Sequence, residues 1–312
     1  MSEAMALVQR LRQRLSAVIL GKTEVIDLAL VAILARGHIL LEDVPGVGKT
    51  TLAHAMAQAL GCQFRRIQFT SDLLPADITG VSIFDQSSST FEFKRGPIFA
   101  QIVLADEINR TTPKTQSSLL EAMNERQVSV DNTTYPLPSP FLVIATQNPL
   151  DHQGTYTLPE SQLDRFLVRL KLGYPALAVE RDILKGRGGL RADVEALTDG
   201  EGVLALQAAV DAIKVEDVVI DYLLAIVQGT RNSPQLSLGV STRGAQALLQ
   251  AVKARALLEG RGYAIPDDVK RLAVPVLAHR VQRLGGADHL QGQVDEAAQL
   301  IESLVAQVPV PL

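Results

Sequence analysis

Eight consecutive residues, Asp43-Val44-Pro45-Gly46-Val47-Gly48-Lys49-Thr50, have the types and spacing of a loop that grips phosphate. They follow the apolar run Ile39-Leu40-Leu41 and precede a helical stretch from Thr51 to Leu60. Successive N–H groups of a loop that feeds a helix form a concavity of partial positive charge. Lys49 would add a full charge against the β- and γ-phosphates, and Thr50 would offer its hydroxyl to Mg²⁺. The usual string carries Gly six residues before the Lys, and Asp43 stands there instead. A plain strand-to-helix turn is the alternative, but it needs glycine for positive φ and has no use for a lysine. A second group, Asp106-Glu107, closes the apolar run Gln101-Ile102-Val103-Leu104-Ala105. That run reads as a buried parallel strand, and open α/β sheets bind ligands at the C-terminal ends of such strands. Asp106 would hold Mg²⁺ through water. Glu107 would polarise an attacking water, because phosphoryl transfer needs a positioned nucleophile and little other covalent help.

The elements that must position these groups can be read from the apolar pattern. Strands are expected at Ile39–Leu41, Phe64–Gln68, Ile102–Ala105, Phe141–Ala145 and Phe166–Leu170, with helices between most of them. Thr112-Pro113 reads as an N-cap with proline at the first helical position, and Leu119, Leu120 and Met123 share one face of the helix that follows. This alternation predicts a parallel sheet between two helical layers. From Ala176 onward strand signals nearly vanish. Thr198-Asp199-Gly200-Glu201 has capping-box spacing ahead of a helix at Val203–Ile213. Further helices are expected at Val218–Arg231, Thr242–Leu258, Asp267–His279 and Val294–Val305. Lys185-Gly186-Arg187-Gly188-Gly189 reads as a short connector between an α/β core over 1–185 and a helical domain over 190–312.

Composition narrows the class. The 312 residues are 47% hydrophobic, yet the most apolar helix, Val25 to Ala35, is short and contains Asp27, so no membrane span is expected. One cysteine, Cys62, allows no internal disulfide and fits a reducing, cytoplasmic setting. The five histidines are scattered, and no Cys/His cluster has metal-ligand spacing. A net charge of −4 and a pI near 5.8 give no general attraction for nucleic acid.

The ordered set of phosphate loop, Asp106-Glu107, Ala145-Thr146-Gln147-Asn148-Pro149, Leu163-Asp164-Arg165-Phe166 and Ser241-Thr242-Arg243 resembles an AAA+ ATPase. More narrowly, Leu41-Glu42-Asp43-Val44-Pro45-Gly46, Ala105-Asp106-Glu107-Ile108-Asn109-Arg110 and Thr155-Tyr156-Thr157-Leu158-Pro159-Glu160 resemble the MoxR family. The resemblance implies a P-loop NTPase core with a C-terminal all-helical lid, ATP and Mg²⁺ as cofactors, and a homo-oligomeric ring, a hexamer by analogy. It also implies roles for further residues. Leu20 and Gly21 would line the adenine pocket, and Val44 to Thr51 would wrap the phosphates. Asn148 would orient the lytic water beside Glu107, its plain alternative being a turn-forming Asn. Arg165 would act as an arginine finger on a neighbouring subunit's γ-phosphate, the alternative being an ion pair with Asp164 or Glu160. Arg243 would report γ-phosphate state to the lid; a cation opposes the dipole at a helix start, so a phosphate partner accounts for it better than local stability does.

Two stretches exceed a minimal nucleotide-binding fold. Thr70 to Gly96 reads as a hairpin-bearing insertion, and Gln127 to Tyr135 as a second hairpin turning at Asp131-Asn132. The resemblance identifies them with a helix-2 insert and a pre-sensor-1 hairpin, which in related rings face the pore or the client. It implies remodelling or activation of client proteins, often with a partner bearing a von Willebrand factor A domain. A magnesium-chelatase-like motor subunit, a nucleic-acid motor and a nucleotide-binding scaffold without turnover are the rival readings. The second of these would need basic residues on the pore hairpins, and Gln127 to Pro138 has none.

Overall fold

A computed structural model of the chain describes residues 1–148, 155–186, 194–285 and 290–311. Two helices, α1 (Ser2–Val18) and α2 (Thr23–Leu34), precede β1 (Ile39–Glu42), α3 (Lys49–Ala59) and β2 (Phe64–Gln68). The first insertion follows as a short helix, α4 (Pro75–Thr79), and a hairpin of β3 (Gly80–Asp85) and β4 (Thr90–Arg95). Next come β5 (Ile102–Asp106), α5 (Pro113–Glu125), the second hairpin β6 (Gln127–Val130) and β7 (Thr133–Pro136), then β8 (Leu142–Gln147), α6 (Glu160–Leu163) and β9 (Val168–Leu170). The remainder comprises α7 (Leu177–Leu184), α8 (Gly200–Asp211), α9 (Asp217–Asn232), β10 (Leu236–Leu238), α10 (Thr242–Leu258), α11 (Pro266–Leu277), β11 (Gln282–Arg283) and α12 (Leu290–Gln307).

Five parallel strands form the central sheet in the order β2-β5-β8-β1-β9. Because side chains alternate across a strand, each apolar run supplies two cores. Ile39, Leu41, Ile102, Leu104, Leu142 and Ile144 face one, with α1, α2, α3 and the C-terminal helices. Leu40, Val103, Ala105, Val143 and Ala145 face the other, with Leu119, Leu120 and Met123 of α5 and Phe166. The α/β core with helices on both faces is therefore as expected.

Several local expectations are corrected. Asp199, not Thr198, caps α8: its carboxylate accepts the Gly202 N–H at 2.9 Å, which leaves Thr198 one residue outside the helix. Thr112 occupies the N-cap of α5 with Pro113 behind it, but its hydroxyl meets Thr115 Oγ1 at 3.4 Å and bonds no backbone N–H. The lid is not purely helical, since β10 and β11 pair antiparallel. The expected connector lies partly outside the described residues, at 187–189, as does Pro149.

Candidate functional site

Strand β1 ends at Glu42, and the chain passes through the phosphate loop into α3, whose N-cap is Gly48 with no side chain bonded to its first turn. Gly46 and Gly48 take φ of +85° and +103°, which L side chains rarely adopt. The first turn of α3 consequently presents its free N–H groups to whatever lies in front of the loop. That space is a cleft of about 350 Å³ lined by Pro45, Gly46, Gly48, Lys49, Thr50, Thr51, Arg66, Gln68, Asp106, Glu107 and Asn148. Two of the loop residues point elsewhere. Val47 packs against the apolar core, and the Val44 N–H donates to Asp43 Oδ1 at 2.9 Å.

Asp43 now has a structural account. Its other carboxylate oxygen accepts the Gly173 N–H at 2.5 Å, and its carbonyl accepts the Lys49 ammonium at 2.7 Å. The acid thereby ties the phosphate loop to the segment after β9. Partial burial lowers the proton affinity of Lys49, while Asp106, Asp43 and Glu107 act in the opposite direction. Lys49 therefore sits among carboxylates that partly offset the effect of burial.

Asp106 and Glu107 are held by Arg66 and Gln68, which no motif covers, and by Thr146 and Arg110, which lie in motifs that assign them no role. Thr146 of β8 donates its hydroxyl to Asp106 Oδ1 at 2.5 Å and accepts the Glu107 N–H at 2.9 Å. Arg66 of β2 reaches Asp106 Oδ2 from Nη2 at 2.6 Å and from Nε at 3.1 Å. Gln68, two residues along the same strand face, donates to Glu107 Oε2 at 3.0 Å, and Arg110 Nε meets that oxygen at 3.0 Å. Glu107 itself has φ of +59°, a left-handed conformation that lifts its carboxylate off the strand end. The detectable signal was the alternation Arg66-Ile67-Gln68 on the strand beside Asp106, since register pairs Gln68 with Asp106.

The donor set suits Mg²⁺. Thr50 and Asp106 supply hard oxygen donors on one cleft, and this cation keeps several waters and shares phosphate oxygens. Among the described residues no three His, Cys, Asp or Glu side chains could form a metal cage of their own. Because both Asp106 oxygens already have partners, contact through water fits better than direct ligation.

Leu20 and Gly21 do not line the cleft. Gly21, at φ +72°, lies against α7, where a Cβ would stand 3.0 Å from Val179. The neighbouring Lys22 donates to the Tyr174 carbonyl at 2.9 Å. Gly21 and Lys22 thus border the segment that Asp43 anchors through Gly173.

Arg165 and Arg243 meet in a different place. They line a second cleft, about 260 Å³, with Arg36, His38, Asn124, Arg126, Asp164 and Arg280. The two clefts share no residue. The ion pair of Arg165 with Asp164 or Glu160 is not made: Asp164 accepts from Arg280 and Glu160 from Gln282. Arg243 approaches Asn124 Oδ1 at 2.5 Å and Asp164 Oδ2 at 4.0 Å. It is therefore not placed against the phosphate loop of its own chain.

A five-stranded parallel sheet of this order, a Gly-Lys-Thr loop and an Asp-Glu strand end define a P-loop ATPase of the AAA+ class. Residues 38–168 match the model of the ATPase family associated with various cellular activities, and residues 228–302 match the AAA lid domain. The chain belongs to the MoxR family. It is 41% identical over 85% of its length to Chaperone MoxR1 of Mycobacterium tuberculosis, covering 72% of that protein. It is 32% identical over 95% of its length to Protein MoxR of Paracoccus denitrificans, covering 94% of it. It is also 46% identical over 96% of its length to YeaC of Bacillus subtilis, covering 93% of that protein. The crystal structure of a proposed ATPase from Cytophaga hutchinsonii superposes with a TM-score of 0.89 at 33% identity, covering 99% of this chain and 96% of that one. The protein is thus an ATPase that binds and hydrolyses ATP.

Proposed function

We propose that this ATPase cleaves ATP at contacts between copies of itself and uses the cycle to remodel or activate client proteins. The observation that carries the reading is the separation of the two clefts: the Lys49 cleft holds the hydrolytic carboxylate, while the Arg165 cleft on the same chain holds a guanidinium with no partner among the described residues. A ring of copies would bring one against the other. In that arrangement the loop and Lys49 bind the phosphates, Thr50 and Asp106 hold Mg²⁺, and the metal when bound screens phosphate charge. Glu107 takes the proton of the attacking water, Asn148 orients that water, and Arg165 and Arg243 come from the neighbour. Leu20 and Gly21 border the base. A hexameric ring working in the cytoplasm is the form we infer.

The client side of the reading rests on the first hairpin. Phe84 and Phe91 stand opposite each other, 5.2 Å apart edge to face, and are 49% and 73% exposed. Phe93 continues that face, stacks on Tyr135 of the second hairpin at 4.2 Å and meets Phe99 at 5.8 Å. An exposed aromatic pair on a rigid base suits apolar side chains of a polypeptide. A relative named as a chaperone supports the same class of work, and a partner with a von Willebrand factor A domain belongs to this proposal. The second hairpin carries no Lys or Arg between Gln127 and Pro136, which disfavours a nucleic-acid motor.

The test is turnover against binding. Arg165→Ala should lose about a thousandfold in kcat, the scale of an arginine finger, with ATP affinity within a few-fold of wild type. Wild-type turnover in that variant would remove the intersubunit reading. Glu107→Gln should bind ATP without releasing phosphate, and its ATP-loaded form is the bait for recovering the client.

A further inference from the structure

The second cleft holds more positive charge than its carboxylates can answer. Five guanidiniums line it, from Arg36, Arg126, Arg165, Arg243 and Arg280, against Asp164 within it and Asp211 at its edge. Arg36 is closed by a two-bond pair with Asp211 at 2.7 and 2.9 Å. Arg280 is closed by Asp164 and by the carbonyls of Val276 and Phe166. Among the described residues, Arg243 has only a distant carboxylate and an amide as side-chain partners, the Arg165 side chain has none, and Arg126 has a single neutral one, the Arg36 carbonyl at 3.3 Å.

Arg126 is also held in place at some cost. It ends α5 at φ +52°, an unfavourable region for a side chain of its size. Its N–H bonds the Ala122 carbonyl and its carbonyl takes the Leu137 N–H, both at 2.9 Å, so the backbone is fixed at the joint between α5 and the second hairpin. The residue is exposed overall, but partial desolvation of the guanidinium and the nearby Arg36 both disfavour its charge. An exposed cation on a strained backbone, beside a like charge and without a carboxylate among the described residues, is open to an anion supplied from outside.

We propose that Arg126 is a third guanidinium acting in trans, contacting the phosphates of ATP bound to an adjacent copy of this chain beside Arg165 and Arg243. The inference rests on the intersubunit reading above and adds a residue from a different element, the end of α5. It also joins the nucleotide to the second hairpin directly, since Arg126 is the residue from which that hairpin leaves.

The test is subunit mixing. Arg126→Asn, which tolerates positive φ, should lose about tenfold or more in kcat as a homomer. Lys49→Ala subunits cannot hold ATP but still carry Arg126. Co-expressed with Arg126→Asn subunits and purified through both tags, they should restore turnover several-fold above either parent. Arg165→Ala mixed with Lys49→Ala is run in parallel. Recovery with Arg165→Ala but not with Arg126→Asn overturns the Arg126 proposal and leaves the intersubunit reading intact. Recovery with neither removes the intersubunit reading itself. Unchanged turnover in the Arg126→Asn homomer also overturns the proposal. Should that variant fail to fold by circular dichroism, Arg126→Lys, with the stem and charge kept and the fork lost, gives the same readouts.

Discussion

The Asp43 carboxylate ties the phosphate loop at Val44 to Gly173 beyond β9, and its carbonyl holds Lys49, so one residue governs both the loop's shape and the placement of its cation. Glycine at this position would leave the loop free of the Gly173 segment. Hydrogen bonds to a charged acceptor are worth about 1.5–3 kcal/mol each when intact. Discounting for partial exposure, Asp43→Ala should weaken ATP binding by roughly tenfold, read by calorimetry, with kcat for bound ATP little changed. Asp43→Asn keeps one acceptor oxygen and should lose less. A gain in affinity for either variant would mean that the acid opposes phosphate instead of ordering the loop. The same residue illustrates what spacing conveys and what it omits. Lys49, Thr50, Asp106 and Glu107 lie in contiguous strings and could be named from sequence, whereas Arg66 and Gln68 lie in no motif and Thr146 lies in one that gives it no role. Only parallel pairing of β2, β5 and β8 brings those three to the carboxylates.

At the scale of elements, His38 joins β8 to α5 by hydrogen bonds. The Val143 N–H of β8 donates to Nδ1 at 3.0 Å, so Nδ1 carries no proton and Nε2 must donate to the Met123 carbonyl of α5, 3.2 Å away. Protonation would set two donors against each other. Burial, with Arg126 and Arg243 nearby, pushes the pKa down to about 4. The unfolded chain takes up this proton near pH 6.5 and the folded chain only near 4, so stability is full above about 6.5 and declines as pH falls through that window. The decline from this group should reach about 2 kcal/mol at pH 5, seen as a lower urea midpoint. His38→Gln should be less stable at pH 7 but show a flatter slope between pH 7 and 5; an equal slope would assign the acid sensitivity elsewhere, His279 being the other buried candidate shifted the same way. The sheet strands and the Asp131-Asn132 turn were legible because their patterns are local, with both turn residues at positive φ. The β10–β11 pair was not, because residues 236 and 283 meet only after α10 and α11 have folded between them.

Across the whole molecule, the lid is not an independent body resting on the sheet. One apolar cluster runs from Ile39 and Leu41 through α1, α2 and α3 into α8, α9, α10 and α11. Within it Asp27 of α2, only 3% exposed, accepts from Arg12 of α1 at 2.5 Å and from Arg255 of α10 at 3.2 Å. Arg255 is also buried and bonded onward to Glu259 at 2.5 Å. Charges so placed fix which helices meet, and any movement of the lid must carry α1 and α2 with it. Removing one partner of a buried pair typically costs about 3 kcal/mol or more, because the other charge is stranded. Asp27→Ala should therefore lower unfolding free energy by roughly that amount. Hydrogen exchange tells whether these helices form a unit: amides of α1, α2 and α10 should speed up together in the variant, while α5 and the second hairpin, on the opposite face of the sheet, keep wild-type rates. Acceleration confined to α1 would mean that Arg255 finds enough support in Glu259, and that α10 can move without the N-terminal helices.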